Sequence, residues 1–440
     1  MTTHQIRVLS VSELHPQSNN ARTHSKKQLR QIAESIKSFG FTSPILVDEN
    51  NAVLAGHGRL AAAKLIGLRE VPTLVVSGLS DAQKRAYLLA DNKLAEKAGW
   101  DKGTLALELS SLAPLLAEAG LDIELTGFEP AEIDSLLGDL VDPESDPADE
   151  PPLLAKEPIS RAGDLWLLGP HRLLCGDARR TSHFRKLMGS DLAAMVFADP
   201  PYNVVIRSVQ GRGKIKHSEF AMASGEMSRT EFANFLTETL TLVAEHSAEG
   251  SIHYVCMDWR HLEEISTAGK KVYSELKNLV VWSKTNAGQG SFYRSQHELI
   301  FVFKHGEGPH TNNFELGQHG RNRSNVWTYA GVNSFRAGRL DELSLHPTVK
   351  PVALVADALR DCSRRGDIVL DPFMGSGTTI LAAERVGRRA YGLELDPLYV
   401  DAAVRRWQAF TKRDAVLEGS GQTFDEVTAA CASAKPRRRK

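Results

Sequence analysis

From Asp142 to Pro152 the chain reads Asp-Pro-Glu-Ser-Asp-Pro-Ala-Asp-Glu-Pro-Pro, with no large apolar side chain in the run. Such a stretch cannot order itself by burying surface, and its prolines forbid a regular helix or an inner strand. It reads as a linker, so the chain must fold as separate units on either side of it. At 440 residues and 42% hydrophobic, the chain is long enough for two or three domains with cores of their own.

Basic and acidic residues balance at 53 against 54, so overall charge argues neither for nor against nucleic acid. Cys175, Cys256, Cys362 and Cys431 are scattered, without a C-x-x-C pair or matching His spacing. A disulfide framework or a zinc site is not expected, and no metal is called for. The N-terminus lacks a basic-then-apolar signal pattern, and no run approaches 18 apolar residues. A cytoplasmic protein with no membrane partner is the expectation.

Before the linker, Lys26–Phe39 carries Leu29, Ile32, Ala33 and Ile36 on one helical stripe closed by Gly40. Pro44–Asp48, Asn51–Leu54 and Val71–Val76 read as strands, and Leu60–Ile66 and Asp81–Lys97 as helices. Carried by the Pro-Ile-Leu-Val strand and by Ala55-Gly56-His57-Gly58-Arg59, this α+β unit resembles the N-terminal domain of ParB-like partition proteins, which is related to the sulfiredoxin fold. In that family the corresponding box is Gly-Glu-Arg-Arg and cradles nucleotide phosphates at a helix start. Here only Gly56 and Arg59 stay in register, and the box has no cysteine for sulfiredoxin chemistry. A bound nucleotide and a plain tight turn with Arg59 on the surface both stand. From Asp101 to Leu140 a leucine stripe (Leu105, Leu109, Leu112, Leu115, Leu116) reads as a packed helical connector.

After the linker, Asp164–Leu168 and His171–Cys175 read as a hairpin turning at Gly169-Pro170. Strand and helix signals then alternate to Phe410, which argues for a mostly parallel α/β sheet. One strand, Ala193–Ala198, stops on Asp199-Pro200-Pro201-Tyr202. The prolines lock φ and remove two backbone donors, so a carboxylate, nearby carbonyls and an aromatic ring are held in fixed relation. Acceptors for N–H hydrogens beside a π-face suit a flat ring that carries an amino group. A second strand, Ile368–Leu370, runs into Asp371-Pro-Phe-Met-Gly-Ser-Gly-Thr-Thr379 and then a helix. Small residues there let backbone approach a ligand at the helix N-terminus, and Glu394 ends the following strand, as an acid gripping ribose hydroxyls does. No Lys follows the glycines, which argues against a P-loop, and two glycines fall short of a dinucleotide fingerprint.

Together these motifs resemble the amino-methylating DNA methyltransferases, in the permuted β-class order in which the Asp-Pro-Pro-Tyr motif comes first. Three more stretches are similar to the family's motifs in the same order: Leu174-Cys175-Gly176-Asp177, His346-Pro347-Thr348-Val349-Lys350-Pro351 and Glu394-Leu395-Asp396-Pro397. The resemblance covers about residues 160–412. It implies a class I methyltransferase, Rossmann-like sheet with circularly permuted motifs, and S-adenosyl-L-methionine as cofactor. Cofactor contacts are implied for Asp177, Lys350, Asp371, Phe373, Gly375, Gly377, Thr378 and Glu394, and the catalytic motif is Asp199, Pro200, Pro201 and Tyr202. It further implies double-stranded DNA as partner, a base flipped from the duplex to stack on Tyr202, and admits a homodimer.

The expected DNA-binding residues are Arg207 in a basic loop, Arg294 beside Phe292 and Tyr293, and Arg321, Arg323 and Arg336. The last three lie in a target-recognition region at about 304–345, where strand–helix alternation breaks. The expected organisation is a ParB-like domain at 1–97, the connector at 98–140, the linker at 141–158, the methyltransferase at 159–413 and a disordered tail at 414–440. The family ties Asp-Pro-Pro-Tyr mainly to adenine N6. Cytosine N4 is the alternative, and a ParB-like DNA-binding protein with an inactive methyltransferase scaffold is the reading from another class.

Overall fold

The computed structural model describes residues 6–17, 20–138, 148, 154–155, 157–204, 225–285, 292–314, 323–331 and 349–433. The chain divides into two units, Met1–Leu140 and Val141–Lys440.

In the first unit, β1 (Ile6–Ser10), β2 (Ile45–Val47), β3 (Val53–Ala55) and β4 (Glu70–Val75) form one sheet in the order β1-β4-β2-β3. Leu14, Ile45, Val47, Val53, Leu60, Ala63 and Val71 make its core. The helix expected at Leu60 begins already at His57, because Gly56 takes φ 97° and turns the strand into the helix within one residue. Helices Lys102–Glu118 and Pro130–Gly138 pack around Leu109, Ile123 and Ile133, so the expected connector has a small core of its own.

The second unit holds a ten-stranded sheet. Its strands are β5 (Leu165–Leu168), β6 (His171–Cys175), β7 (Ala193–Ala198), β8 (Ser247–Met257), β9 (Glu275–Lys284), β10 (His297–Lys304), β11 (Val326–Tyr329), β12 (Ile368–Asp371), β13 (Arg389–Glu394) and β14 (Val416–Leu417). They lie in the order β11-β9-β10-β8-β7-β12-β13-β6-β5-β14. The run β8-β7-β12-β13-β6 is parallel, while β10, β5 and β14 pair antiparallel with their neighbours. The expected α/β sheet is therefore parallel at its centre and mixed at its edges. Successive side chains of β7 point to opposite faces, Met195 and Phe197 into one core and Val196 and Ala198 into the other. Helices cover both faces.

One expectation needs correction, and two regions hold more structure than their sequence announces. The tail is ordered over 414–433: β14 pairs with β5, and the helix Phe424–Ser433 buries Phe424 edge-on against Trp166. Two short elements find partners in the sheet and core that their own polar sequence does not announce. The region 304–345 contributes strand β11, whose Trp327 is buried. Of the linker, Ala148 is packed, its carbonyl accepting from Arg406 Nη2 at 2.6 Å, while 141–147 lie outside the described residues. The basic tail 435–440 and the loop 207–216 lie outside them too. Among the described residues no helix is long and apolar enough to cross a membrane.

Candidate active site

Strands β7, β12, β13 and β6 are parallel neighbours, so their carboxyl ends share one edge of the sheet. Asp199, Asp371, Glu394 and Asp177 end those four strands or follow them within two residues. Residues scattered from 177 to 394 are thus brought to one rim.

At the end of β7, Pro200 is buried and Pro201 and Tyr202 half-buried. Tyr202 donates its hydroxyl hydrogen to Asp199 Oδ1 at 2.6 Å. Lys350 Nζ donates to Asp199 Oδ2 at 2.6 Å and lies 3.0 Å from Glu298 Oε2 and 3.1 Å from the Tyr202 hydroxyl. Glu298 Oε1 also receives Lys284 Nζ. Burial alone would raise the Glu298 carboxyl, but Lys350 and Lys284 outweigh it and hold it below the usual carboxylate range. Lys350 is itself pushed up: burial opposes its charge, and Asp199 and Glu298 more than offset that. The expectation for Lys350 was the cofactor; its ammonium sits on the Asp-Pro-Pro-Tyr motif.

After Tyr202 the backbone takes φ 52° at Asn203. The Asn203 amide donates to the Met227 carbonyl at 2.8 Å and accepts from the Gly225 and Met227 N–H groups. This fastens the exit of the motif to the segment before the helix Arg229–Glu245. A non-glycine residue held in the left-handed region is the mark of such a tie.

On the other side of the rim, Asp371 is an internal brace. Its two oxygens accept from Thr379 Oγ1 at 2.6 Å and from the Phe373 N–H at 2.9 Å, closing the loop on itself. Burial raises its carboxyl to about 7. Phe373 packs tilted against Phe235. Gly377 is the left-handed N-cap of the helix Thr378–Val386, with Thr378 its buried first residue. Gly375 takes φ 54° and faces open space, and its N–H donates to Glu394 Oε2 at 2.8 Å. Glu394 Oε1 accepts from the Asp396 N–H at 2.8 Å. Burial lifts the Glu394 carboxyl to about 7 despite those donors. Asp177 is gripped by Arg179 through both carboxylate oxygens. Behind the loop, Arg406 donates to the Ser376 carbonyl at 2.8 Å and to Ser376 Oγ at 2.9 Å.

Of the arginines expected on DNA, Arg294 is exposed next to the exposed pair Phe292 and Tyr293. Arg323 is turned inward: it pairs with Asp357 and Asp361, bonds the Tyr329 hydroxyl and lies 4.4 Å over the Trp327 ring. It clamps β11 to the helix Val352–Cys362 and is not presented to a partner. Arg207, Arg321 and Arg336 lie outside the described residues.

Sequence reasoning missed Glu298, Lys284, Asn203 and Arg406. A signal existed for Glu298, an acid leading the apolar run Leu299–Phe303. None existed for Arg406, one arginine among several in an amphipathic helix.

Three family models match the chain: a ParB N-terminal domain over residues 1–93, a ParB-methyltransferase HTH domain over 103–162 and a DNA methylase over 193–405. The ParB-like nuclease domain-containing protein YnaK of Escherichia coli is 51% identical over 75 residues, 17% of this chain and 86% of that protein. The type II methyltransferase M2.DpnII of Streptococcus pneumoniae is 25% identical over 243 residues, 52% of this chain and 87% of that enzyme. Among solved structures, M1.HpyAVI is similar at 20% identity and a TM-score of 0.39, over 53% of this chain and 96% of that one.

Proposed function

Because this chain belongs to the DNA methylases, with a ParB-like N-terminal domain fused to its DNA methyltransferase domain, we propose that it transfers a methyl group from S-adenosyl-L-methionine to the exocyclic amine of a DNA base, adenine N6. The observation that carries the reading is the shared rim: the Asp199 acceptor at the end of β7 stands next to the glycine loop after β12.

The residues fit the cofactor. Gly375 opens onto free space beside the Glu394 carboxylate, an acid suited to ribose hydroxyls, and Gly377 delivers a helix N-terminus behind them. When bound, the sulfonium supplies an electrophilic methyl group. Asp199 accepts N–H hydrogens of the target amine, which draws the nitrogen lone pair out of the ring. The rigid Pro200-Pro201 turn holds that acceptor in place, so little ordering remains to be done during the reaction. As the N–C bond forms and the methyl carbon's bond to sulfur breaks, its electron pair staying on sulfur, positive charge passes to the amine nitrogen, and the Asp199 carboxylate beside it would stabilise that charge and take the proton. The Tyr202 ring offers a stacking face to a base drawn out of the duplex.

Incubating the protein with methyl-labelled cofactor and duplex DNA, followed by hydrolysis to nucleosides, tests this directly. Label in N6-methyldeoxyadenosine is expected; N4-methyldeoxycytidine would replace the base, and unlabelled DNA would end the reading.

Cofactor affinity should depend on pH through Glu394. Burial pushes its carboxyl up to about 7 in the free protein, and a ligand that bonds through hydroxyls favours the ionised form. Binding therefore releases a proton, and affinity rises with pH through neutrality by up to about tenfold per unit below the pKa, then levels off. Calorimetry in two buffers of different ionisation heat reads the released proton. An affinity flat from about pH 6 to 8 would remove Glu394 from the site.

The same reading places a nucleotide at the ParB-like unit. Arg59 folds back to donate to the Ser43 carbonyl at 2.8 Å and lines a cavity of about 400 Å³ with Thr42, Ser43 and Gln28, of a size for a small ligand.

A further inference from the structure

Glu298 belongs to none of the sequence motifs, yet it is the hub of the charged cluster at the rim. It leads β10, ahead of the buried run Leu299–Phe303. The Lys350 ammonium, 4% exposed, has three hydrogens and three acceptors: Asp199 Oδ2, Glu298 Oε2 and the Tyr202 oxygen. Two carboxylates, Asp199 and Glu298, balance two ammonium groups, Lys350 and Lys284; Lys350 and Glu298 are largely buried, and Asp199 and Lys284 reach toward solvent.

We propose that Glu298 is a positioning residue for methyl transfer: as standing counter-ion to Lys350 and Lys284, it keeps Lys350 from claiming Asp199 outright, so that Asp199 can accept the target amine. A carboxylate offers about four lone-pair positions. Lys350 takes one on Oδ2 and Tyr202 one on Oδ1, which leaves room for amine hydrogens. When the amine arrives, Lys350 keeps Glu298 and the Tyr202 oxygen and gives way at Asp199. Without the Glu298 charge, two ammonium groups face a single carboxylate, and Lys350 draws off the electron density that the amine needs.

The inference rests on the reading of Asp199 as the amine acceptor. Glu298→Gln keeps the volume and removes the charge. It is expected to lower kcat by about 10 to 100-fold, the order of a lost electrostatic partner at a reaction centre, with cofactor Kd unchanged. The groups facing Asp199 are Lys350, Glu298, Tyr202, Cys256 and Asp371, and the variant alters only one of them. Lys350→Met removes the competing ammonium, so the loss caused by Glu298→Gln should be smaller in the Lys350→Met background than in the wild type.

A kcat within twofold of wild type in Glu298→Gln overturns the inference. So does a loss that is just as large in the Lys350→Met background, which is the signature of a structural residue. Should Glu298→Gln fail to fold, the comparison of the double variant with Lys350→Met decides: activity within tenfold of Lys350→Met supports the inference and a greater loss overturns it. If the wild type leaves DNA unlabelled, the underlying reading fails; if the wild type labels DNA and Glu298→Gln does so equally, only this inference fails.

Discussion

Asp199→Ala is expected to lower methyl transfer by about 10³-fold, the upper range for removing one positioned electrostatic partner from a reacting centre. Cofactor affinity should change little, because Asp199 lies at the end of β7 while the glycine loop and Glu394 follow β12 and β13. Single-turnover transfer of labelled methyl into DNA, set beside calorimetric cofactor binding, separates the two. Asp199→Asn is the sharper variant. An asparagine side chain has one acceptor oxygen and an amide that only donates. At this position the oxygen would stay with the Lys350 ammonium and the amide N–H would face the Tyr202 oxygen, which leaves no free acceptor for the target amine. Asn should therefore be as damaging as Ala although it preserves shape. Transfer near the wild-type rate in either variant would mean that the amine is activated by some other group.

Gly377→Val should act on the opposite half of the rim, raising the cofactor Kd by about 100-fold or more. Gly377 holds φ 87°, a conformation that costs an L-residue about 1–2 kcal/mol. A Cβ placed there would lie 2.8 Å from the Ala403 Cβ and 3.1 Å from its Cα. Those atoms belong to the helix Pro397–Thr411, which is packed into the core and cannot yield cheaply, and overpacking typically costs a further 1–3 kcal/mol or so. Two to five kcal/mol, or roughly one and a half to three and a half decades in an equilibrium constant, is then shared between fold stability and the ligand-facing loop. Gly375→Ala is the control. Its φ of 54° is also left-handed, but nothing lies within 4 Å of the added carbon in the free protein. It should leave thermal stability closer to wild type than Gly377→Val does, while filling the space facing the ligand. If Gly377→Val binds cofactor as tightly as wild type, the loop is not the cofactor cradle.

Much of the site was legible because its parts obey local rules. Two prolines must end β7, glycines must precede the helix Thr378–Val386, and an acid at the end of β13 follows at mononucleotide spacing. The misreadings concern residues whose role depends on a distant partner. Arg323 has the composition of a DNA contact, yet Asp357 and Asp361 lie within reach in the folded unit and engage it. Asp371 also braces its own loop through Thr379 and the Phe373 N–H, a role that its place at a strand end does not announce. The tail after 414 looks polar, yet β5 has a free edge for β14 and Trp166 a face for Phe424.

The sequence by itself determined where strands stop, which loops bring backbone to a ligand, and that an Asp-Pro-Pro-Tyr turn and a glycine loop occur in one chain. Periodicity and backbone preference act over a few residues, and those features need nothing more. Only the tertiary structure decided that the two motifs are neighbours and that Glu298 joins them. β7 lies beside β12 although some 170 residues separate them, since strand order is a property of the sheet. β10 runs antiparallel to β8, which is parallel to β7, so the start of β10 meets the end of β7. That reversal puts Glu298, Lys350 and Asp199 within hydrogen-bonding distance, and no rule that acts along the chain could have placed them there.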